Sequence, residues 1–158
     1  MGERLYVGID LGTYQSTIAS SAGSMETIET VVGRPKDPIA RNMLKRDVLF
    51  GNEALQNKMS CNLYRPMAAG VAQDDEANLA AAKAFVTHLI ESVGPEEYDE
   101  VFGVICSPSH VSFTDKSNLV ATLRGQVNAI MVVTEPFATA HGIGEYNGTI
   151  CVDIGAGT

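Results

Sequence analysis

The sequence has no tryptophan, and only 6% of its 158 residues are aromatic. Basic side chains are also scarce, with 11 Lys and Arg against 19 Asp and Glu, a net charge of −8. A surface of that sign argues against nonspecific attraction to nucleic acid or to an anionic membrane. No apolar run approaches the roughly 20 residues of a membrane-spanning helix. The N-terminus lacks the basic and apolar regions of a secretory signal. Histidine is rare: His88, His110 and His141 lie too far apart for metal-ligand spacing. His88, on the apolar stripe of a helix, reads as a packed core residue. The cysteines Cys61, Cys106 and Cys151 are odd in number and widely spaced. They read as buried free thiols of a reducing, cytoplasmic compartment.

What is present suffices for one domain or one lobe, since 45% of the residues are hydrophobic. The organising stretch runs from Leu5 to Thr17. It opens as an apolar strand, reaches Asp10, turns on Gly12 and Thr13, and resumes as a second β-prone run from Ser16 to Ser21. The pattern of aliphatic run, Asp, aliphatic and Gly returns at Thr149–Thr158. Glycines let a tight turn bring its N–H groups close to phosphate oxygens. Thr13 and Thr158 add hydroxyls. An acid beside such a turn would repel a bare phosphate, but fits one chelated to Mg²⁺.

Between these ends, strand one covers Arg4–Ile9, and Met25–Val32 reads as the third strand of an antiparallel meander. Gly33–Pro38 leaves the sheet. Ile39–Leu44 reads as a short helical turn and Asp47–Phe50 as a short strand. Asn52 reads as the cap of a helix over 53–60, and Tyr64–Gly70 as an irregular connection. Asp74 and Asp75 cap a helix to about Val93, which Gly94-Pro95 stops. Val101–Cys106 is a continuous apolar run, as in a strand covered on both faces. Ser112 or Thr114 caps a helix to about Val127. Ala129–Val133 is a further buried strand, Ala138–Glu145 a helix, and Thr149–Asp153 a last strand. Pro136 favours a helix start and sets Glu135 at the strand-to-helix joint.

Alternation of helix and strand in the second half predicts parallel strands with right-handed crossovers. Ligands bind at the carboxyl ends of strands in such α/β sheets. Asp10, Glu135 and Asp153 each follow an apolar run, so all can face one cleft. Gathered carboxylates are costly unless paired or ligated, which suggests a metal-bearing site.

The Asp10 turn, the Glu135-Pro136 joint and the Asp153 loop together resemble phosphate 1, connect 1 and phosphate 2 of the actin, Hsp70 and sugar-kinase superfamily. Val31–Asp37, Phe50–Ala54, Tyr64-Arg65-Pro66 and Thr134–Phe137 resemble its bacterial actin-like branch, whose filaments organise magnetosomes. The resemblance implies an α/β, ribonuclease H-like, actin-type lobe. Its mixed five-stranded sheet would combine a three-strand meander with parallel strands, flanked by helices. Residues 1–32 and 72–147 would form the lobe, 33–71 a small inserted subdomain, and 148–158 the first strand and phosphate loop of a second lobe.

By the same resemblance, Asp10 and Asp153 would hold Mg²⁺. Gly12, Thr13 and Tyr14 would cradle the phosphates of ATP from one side, and Gly155, Ala156, Gly157 and Thr158 from the other. Glu135 would position the attacking water of an ATPase, where eukaryotic actin uses glutamine. Thr17 stands where eukaryotic actin has a lysine. The implied partners are further copies, in a cytoskeletal filament, and magnetosome-associated proteins. A chain without the second lobe is expected to bind ATP weakly or not at all. The alternatives are a chaperone of the Hsp70 type and a non-catalytic truncated paralogue that binds filaments. A sugar kinase fits less well, because no separate acid is placed to deprotonate a substrate hydroxyl.

Overall fold

A computed structural model describes residues 2–68, 71–72 and 75–156. In chain order its elements are β1 (Arg4–Leu11), β2 (Gln15–Ser20), β3 (Met25–Glu29), β4 (Val32–Pro35), α1 (Pro38–Leu44), β5 (Leu49–Phe50) and α2 (Gly51–Gln56). There follow β6 (Cys61–Tyr64), β7 (Met67–Ala68), β8 (Val71–Ala72), α3 (Glu76–Glu91), β9 (Glu100–Ser107), α4 (Phe113–Leu123), β10 (Ala129–Thr134) and α5 (Glu135–Ile143). The main sheet has five strands in the order β10-β9-β1-β2-β3. The β1-β2-β3 pairs are antiparallel, and β9 lies parallel to both β1 and β10. This is the expected mixed sheet, a meander joined to parallel strands.

Alternation along β1 explains its burial. Leu5, Val7, Ile9 and Leu11 point into the core, while Arg4, Tyr6, Gly8 and Asp10 point away. The buried face of the sheet packs against Ala81, Ala82, Phe85, Val86, Leu89 and Ile90 of α3 and Leu119 and Leu123 of α4. Burial of each large side chain contributes about 1.5–3 kcal/mol. The Asp75 carboxylate accepts from the Asn78 amide at the start of α3, and Ser112 and Asp115 form a capping box on α4. Of the two acids expected to cap α3, Asp74 lies outside the described residues.

A second, smaller sheet has the order β5-β4-β6. With α1 and α2 it encloses its own cluster of Val31, Leu49, Ala54 and Cys61. Its contact with the main core runs partly through His88, whose ring stacks on Phe50 at 4.2 Å and 8°. Burial lowers the His88 pKa, as expected of a packed histidine.

Several expected elements are corrected. Met25–Val32 is not one strand. The Val31 amide turns back to the Glu29 carbonyl at 2.7 Å, a γ-turn at Thr30, and Val32 enters the other sheet. Helix α2 starts one residue before Asn52, with Phe50 at its N-cap. Gly51 has φ +56°, and a Cβ there would lie 2.4 Å from Ile28 Cγ2, so only glycine fits this joint. Within the expected irregular connection Tyr64–Gly70, β6 runs to Tyr64 and Met67–Ala68 pairs antiparallel with Val71–Ala72, while Ala69 and Gly70 lie outside the described residues. Helix α4 ends at Leu123, short of Val127.

Strand β9 is not covered on both faces. It alternates buried and half-buried residues, so one face is fully covered and the other only in part. Strand β10 is the sheet's edge, with Met131 61% exposed, rather than a buried strand. Residues 149–153 form no strand. They follow α5 with Ile150 88% and Val152 75% exposed, and pair with no strand among the described residues.

Candidate functional site

Strand β1 carries Asp10 opposite Thr17 of β2, one residue before the buried Leu11. The turn after it spans Gly12, Thr13 and Tyr14. A Cβ on Gly12 would sit 2.3 Å from the Gln15 carbonyl oxygen, so the turn closes only around glycine. Tyr14 is exposed, with the Arg65 guanidinium 5.8 Å from its ring centroid. The turn is held from below by Thr30. Its amide donates to the Tyr14 carbonyl at 2.8 Å and its hydroxyl to the Gly12 carbonyl at 2.8 Å. Ser16 Oγ lies 2.8 Å from the same hydroxyl. Ser16 and Thr30 are buried, and sequence reasoning missed both. The available signal was register: Ser16 shares a face with Ile18, and Thr30 follows the alternation of Ile28, where apolar side chains are expected.

Parallel pairing brings the carboxyl ends of β1, β9 and β10 to the same end of the sheet. Ile9 aligns with Ile105, and Thr134 with Ser107. Thr134 is the N-cap of α5, and Glu135 is its first helical residue, followed by Pro136. The helix therefore starts with a carboxylate in its first turn, where the helix dipole favours negative charge.

The carboxylates gather here. Burial raises the Glu135 pKa, and Asp10 and Asp153 raise it further through their charge and through a hydrogen bond shared with Asp153. Solvent reaches Asp10, yet its neighbours remove enough hydration to raise its pKa, and the Asp153 charge adds to this. Cys106, near the end of β9, has its thiol pushed up to about 11 by burial and by Asp10 and Glu135. It is thus a neutral, weakly nucleophilic thiol at physiological pH.

Asp10, Glu135, Asp153 and Cys106 therefore share one locale of excess negative charge. Such a locale attracts a cation or a cation-chelated anion. Among the described residues no group of three or more His, Cys, Asp or Glu is placed to hold a metal ion directly. A hydrated cation bridged to the acids by water fits this donor set better than a stripped one.

The second loop is less developed. Asp153 reaches Glu135, but Ile154, Gly155 and Ala156 follow as exposed, irregular chain. Gly157 and Thr158 lie outside the described residues. All three cysteines are free, but only Cys61 is fully buried.

No family model matches the chain. The actin-like protein MamK of Magnetospirillum gryphiswaldense is 36% identical over 156 residues, which are 98% of this chain and 43% of that protein. The MamK of Paramagnetospirillum magneticum is 35% identical over 156 residues, covering 45% of its length. The chain thus spans less than half the length of these curated relatives. A solved double helical filament of MamK superposes with a TM-score of 0.92 at 34% identity, over 98% of this chain and 48% of that one. A non-polymerising MamK variant bound to AMPPNP superposes at 0.87 with 32% identity, again over 98% and 48%. The ADP-bound MreB5 of Spiroplasma citri, at 17% identity and a TM-score of 0.69 over 91% and 42%, shares the fold.

Proposed function

We propose, from the premise that this chain belongs to the actin-like family of the MamK proteins, that it supplies one nucleotide-binding lobe of a filament-forming ATPase. The observation that carries this reading is the meeting of Asp10, Glu135 and Asp153 beside the Gly12 turn. Charge that the protein leaves unbalanced calls for a cationic complement, and a triphosphate chelated by Mg²⁺ provides one. A relative of this chain binds AMPPNP.

In this reading Asp10 and Asp153 would hold Mg²⁺. The bound ion would supply charge neutralisation at the phosphates. Amides of Gly12, Thr13 and Tyr14 face one side of the phosphates, and the Gly155–Thr158 segment faces the other. Glu135 orients the attacking water, and a carboxyl pKa raised by burial and by the neighbouring acids makes it a stronger proton acceptor than an ordinary glutamate. Residues 1–32 and 72–147 act as the lobe, 33–71 as an inserted subdomain, and 148–158 as the start of a second lobe. The polymer is cytoskeletal and lies in the cytoplasm, where it organises magnetosomes.

Calorimetric titration with AMPPNP and Mg²⁺, on the protein as its gene encodes it, tests the nucleotide site. Saturable binding that Asp10→Asn weakens is expected; an absence of binding heat at millimolar AMPPNP would remove the site. Sedimentation with ATP and Mg²⁺ tests the filament. Pelleted polymer is expected, and a protein that stays in the supernatant under every nucleotide condition would refute assembly.

A further inference from the structure

Thr30 is 0% exposed and Ser16 1%, and neither belongs to the acid cluster. A buried hydroxyl must find partners, because an unpaired one costs the full loss of its hydration. The Thr30 hydroxyl proton goes to the Gly12 carbonyl at 2.8 Å. In the 2.8 Å contact between the Ser16 and Thr30 hydroxyls, Ser16 is therefore the donor. The Thr30 amide takes the Tyr14 carbonyl at 2.8 Å. One residue thus holds the carbonyls at both ends of the turn.

We infer that Thr30 is the positioning residue of this turn, aiming the Thr13 amide outward at an anionic ligand. The step is geometric. In a trans peptide the C=O of one residue and the N–H of the next point in opposite directions, and the chain has no cis bonds among its described residues. With the Gly12 carbonyl drawn inward to Thr30, the Thr13 N–H points away from Thr30. This deepens the proposed function and rests on it for the identity of the ligand, a nucleotide phosphate. Thr30 also begins the crossing into the second sheet. The next residue, Val31, is buried in the smaller core, and its carbonyl accepts from the Gly51 amide at 3.0 Å. A shift of that sheet would therefore be felt at the turn.

The variants Thr30→Val and Thr30→Ser separate hydrogen bonding from shape, since valine keeps the volume and serine keeps the hydroxyl. Hydrogen exchange across residues 12–16 is read first, without any ligand. In Thr30→Val the amides of this segment exchange faster by about tenfold, the loss of one buried hydrogen bond, while α3 and α4 keep their protection. Thr30→Ser exchanges as the wild type does. AMPPNP affinity, on the protein as its gene encodes it, falls by about tenfold in Thr30→Val and is rescued by serine.

Unchanged exchange in Thr30→Val overturns the inference. So does faster exchange with AMPPNP affinity intact, which leaves Thr30 a structural residue and the proposed function standing. A wild type that ignores AMPPNP sinks the proposed function instead, and the exchange measurement then decides alone whether Thr30 holds the turn. If Thr30→Val does not fold, Thr30→Ala, which removes the same hydroxyl without the second valine methyl, carries the same measurement: faster exchange supports the inference and wild-type exchange overturns it.

Discussion

Asp10-Leu11-Gly12 and Asp153-Ile154-Gly155 repeat one pattern, yet Leu11 is 3% exposed and Ile154 88%. The first segment ends a strand that pairs on both sides, with β2 and with β9. Its aliphatic residue is core, its glycine is forced by the Gln15 backbone, and Thr30 braces the turn behind it. The second has the acid and its hydrogen bond to Glu135, but no paired strand beneath it. A strand is a relation between two chains of backbone, not a property of one. The same residues become a rigid turn or an exposed strip according to whether a neighbouring edge is there to take their N–H and C=O groups.

The difference between the two segments can be pressed experimentally, and the largest effect is expected where they meet. Glu135 contacts Asp153 and feels Asp10. In the protein as its gene encodes it, Glu135→Ala should slow ATP hydrolysis by about 10²–10⁴-fold, the usual range for a positioned proton acceptor, with AMPPNP affinity nearly unchanged. Steady-state phosphate release checks this, and undiminished turnover removes Glu135 from the chemistry.

The glycines come next. Gly12→Ala places a methyl group 2.3 Å from a backbone oxygen, which must shift to admit it. The expected cost is about 1–3 kcal/mol. Gly155→Ala, in an exposed segment, should stay within about 0.5 kcal/mol. Denaturant melts of the two variants compare them directly, and equal losses would dissolve the contrast drawn here.

The acids give a smaller, pH-dependent effect. Asp10 and Glu135 have folded-state pKa values above their ordinary 3.8 and 4.5. The folded state therefore binds protons more tightly than the unfolded one over that window. Stability falls as pH rises from the ordinary carboxylate range through the raised values, then levels. Asp10→Asn should flatten this dependence in thermal melts recorded across the acid range; an unaltered slope would mean that the fold does not raise the Asp10 pKa. His88 works in the opposite sense. Its folded-state pKa is below the ordinary 6.5, so stability is lost as pH drops from about that value through the lowered one. His88→Phe should remove that portion of the curve and keep the stack on Phe50.

Much of this arrangement was legible in the residues. Leu5, Val7, Ile9 and Leu11 announce a strand with one buried face, and the helix–strand alternation after Glu76 dictates parallel pairing. From that topology alone Asp10 and Glu135 fall at one end of the sheet. What stayed hidden depends on contacts across the fold. Thr30-Val31-Val32 continues the strand pattern of Met25–Glu29, so nothing local marks the γ-turn that carries the chain to another sheet. Asn52 has the chemistry of a helix cap, but Gly51 already turns the chain at Phe50. Pro66 suggested a loop, yet Met67–Ala68 directly after it pairs with Val71–Ala72. Thr149–Asp153 has every propensity of a strand and lacks only a partner.

The thiol of Cys106 offers a built-in reporter of these acids. Its pKa of about 11 is set partly by the charges of Asp10 and Glu135. A divalent ion entering among them would cancel that field, lower the pKa and enlarge the thiolate fraction. The rate of alkylation by iodoacetamide at this one position, followed by peptide mass spectrometry, would then rise on titration with Mg²⁺ alone. Occupancy could thus be read from unmutated protein.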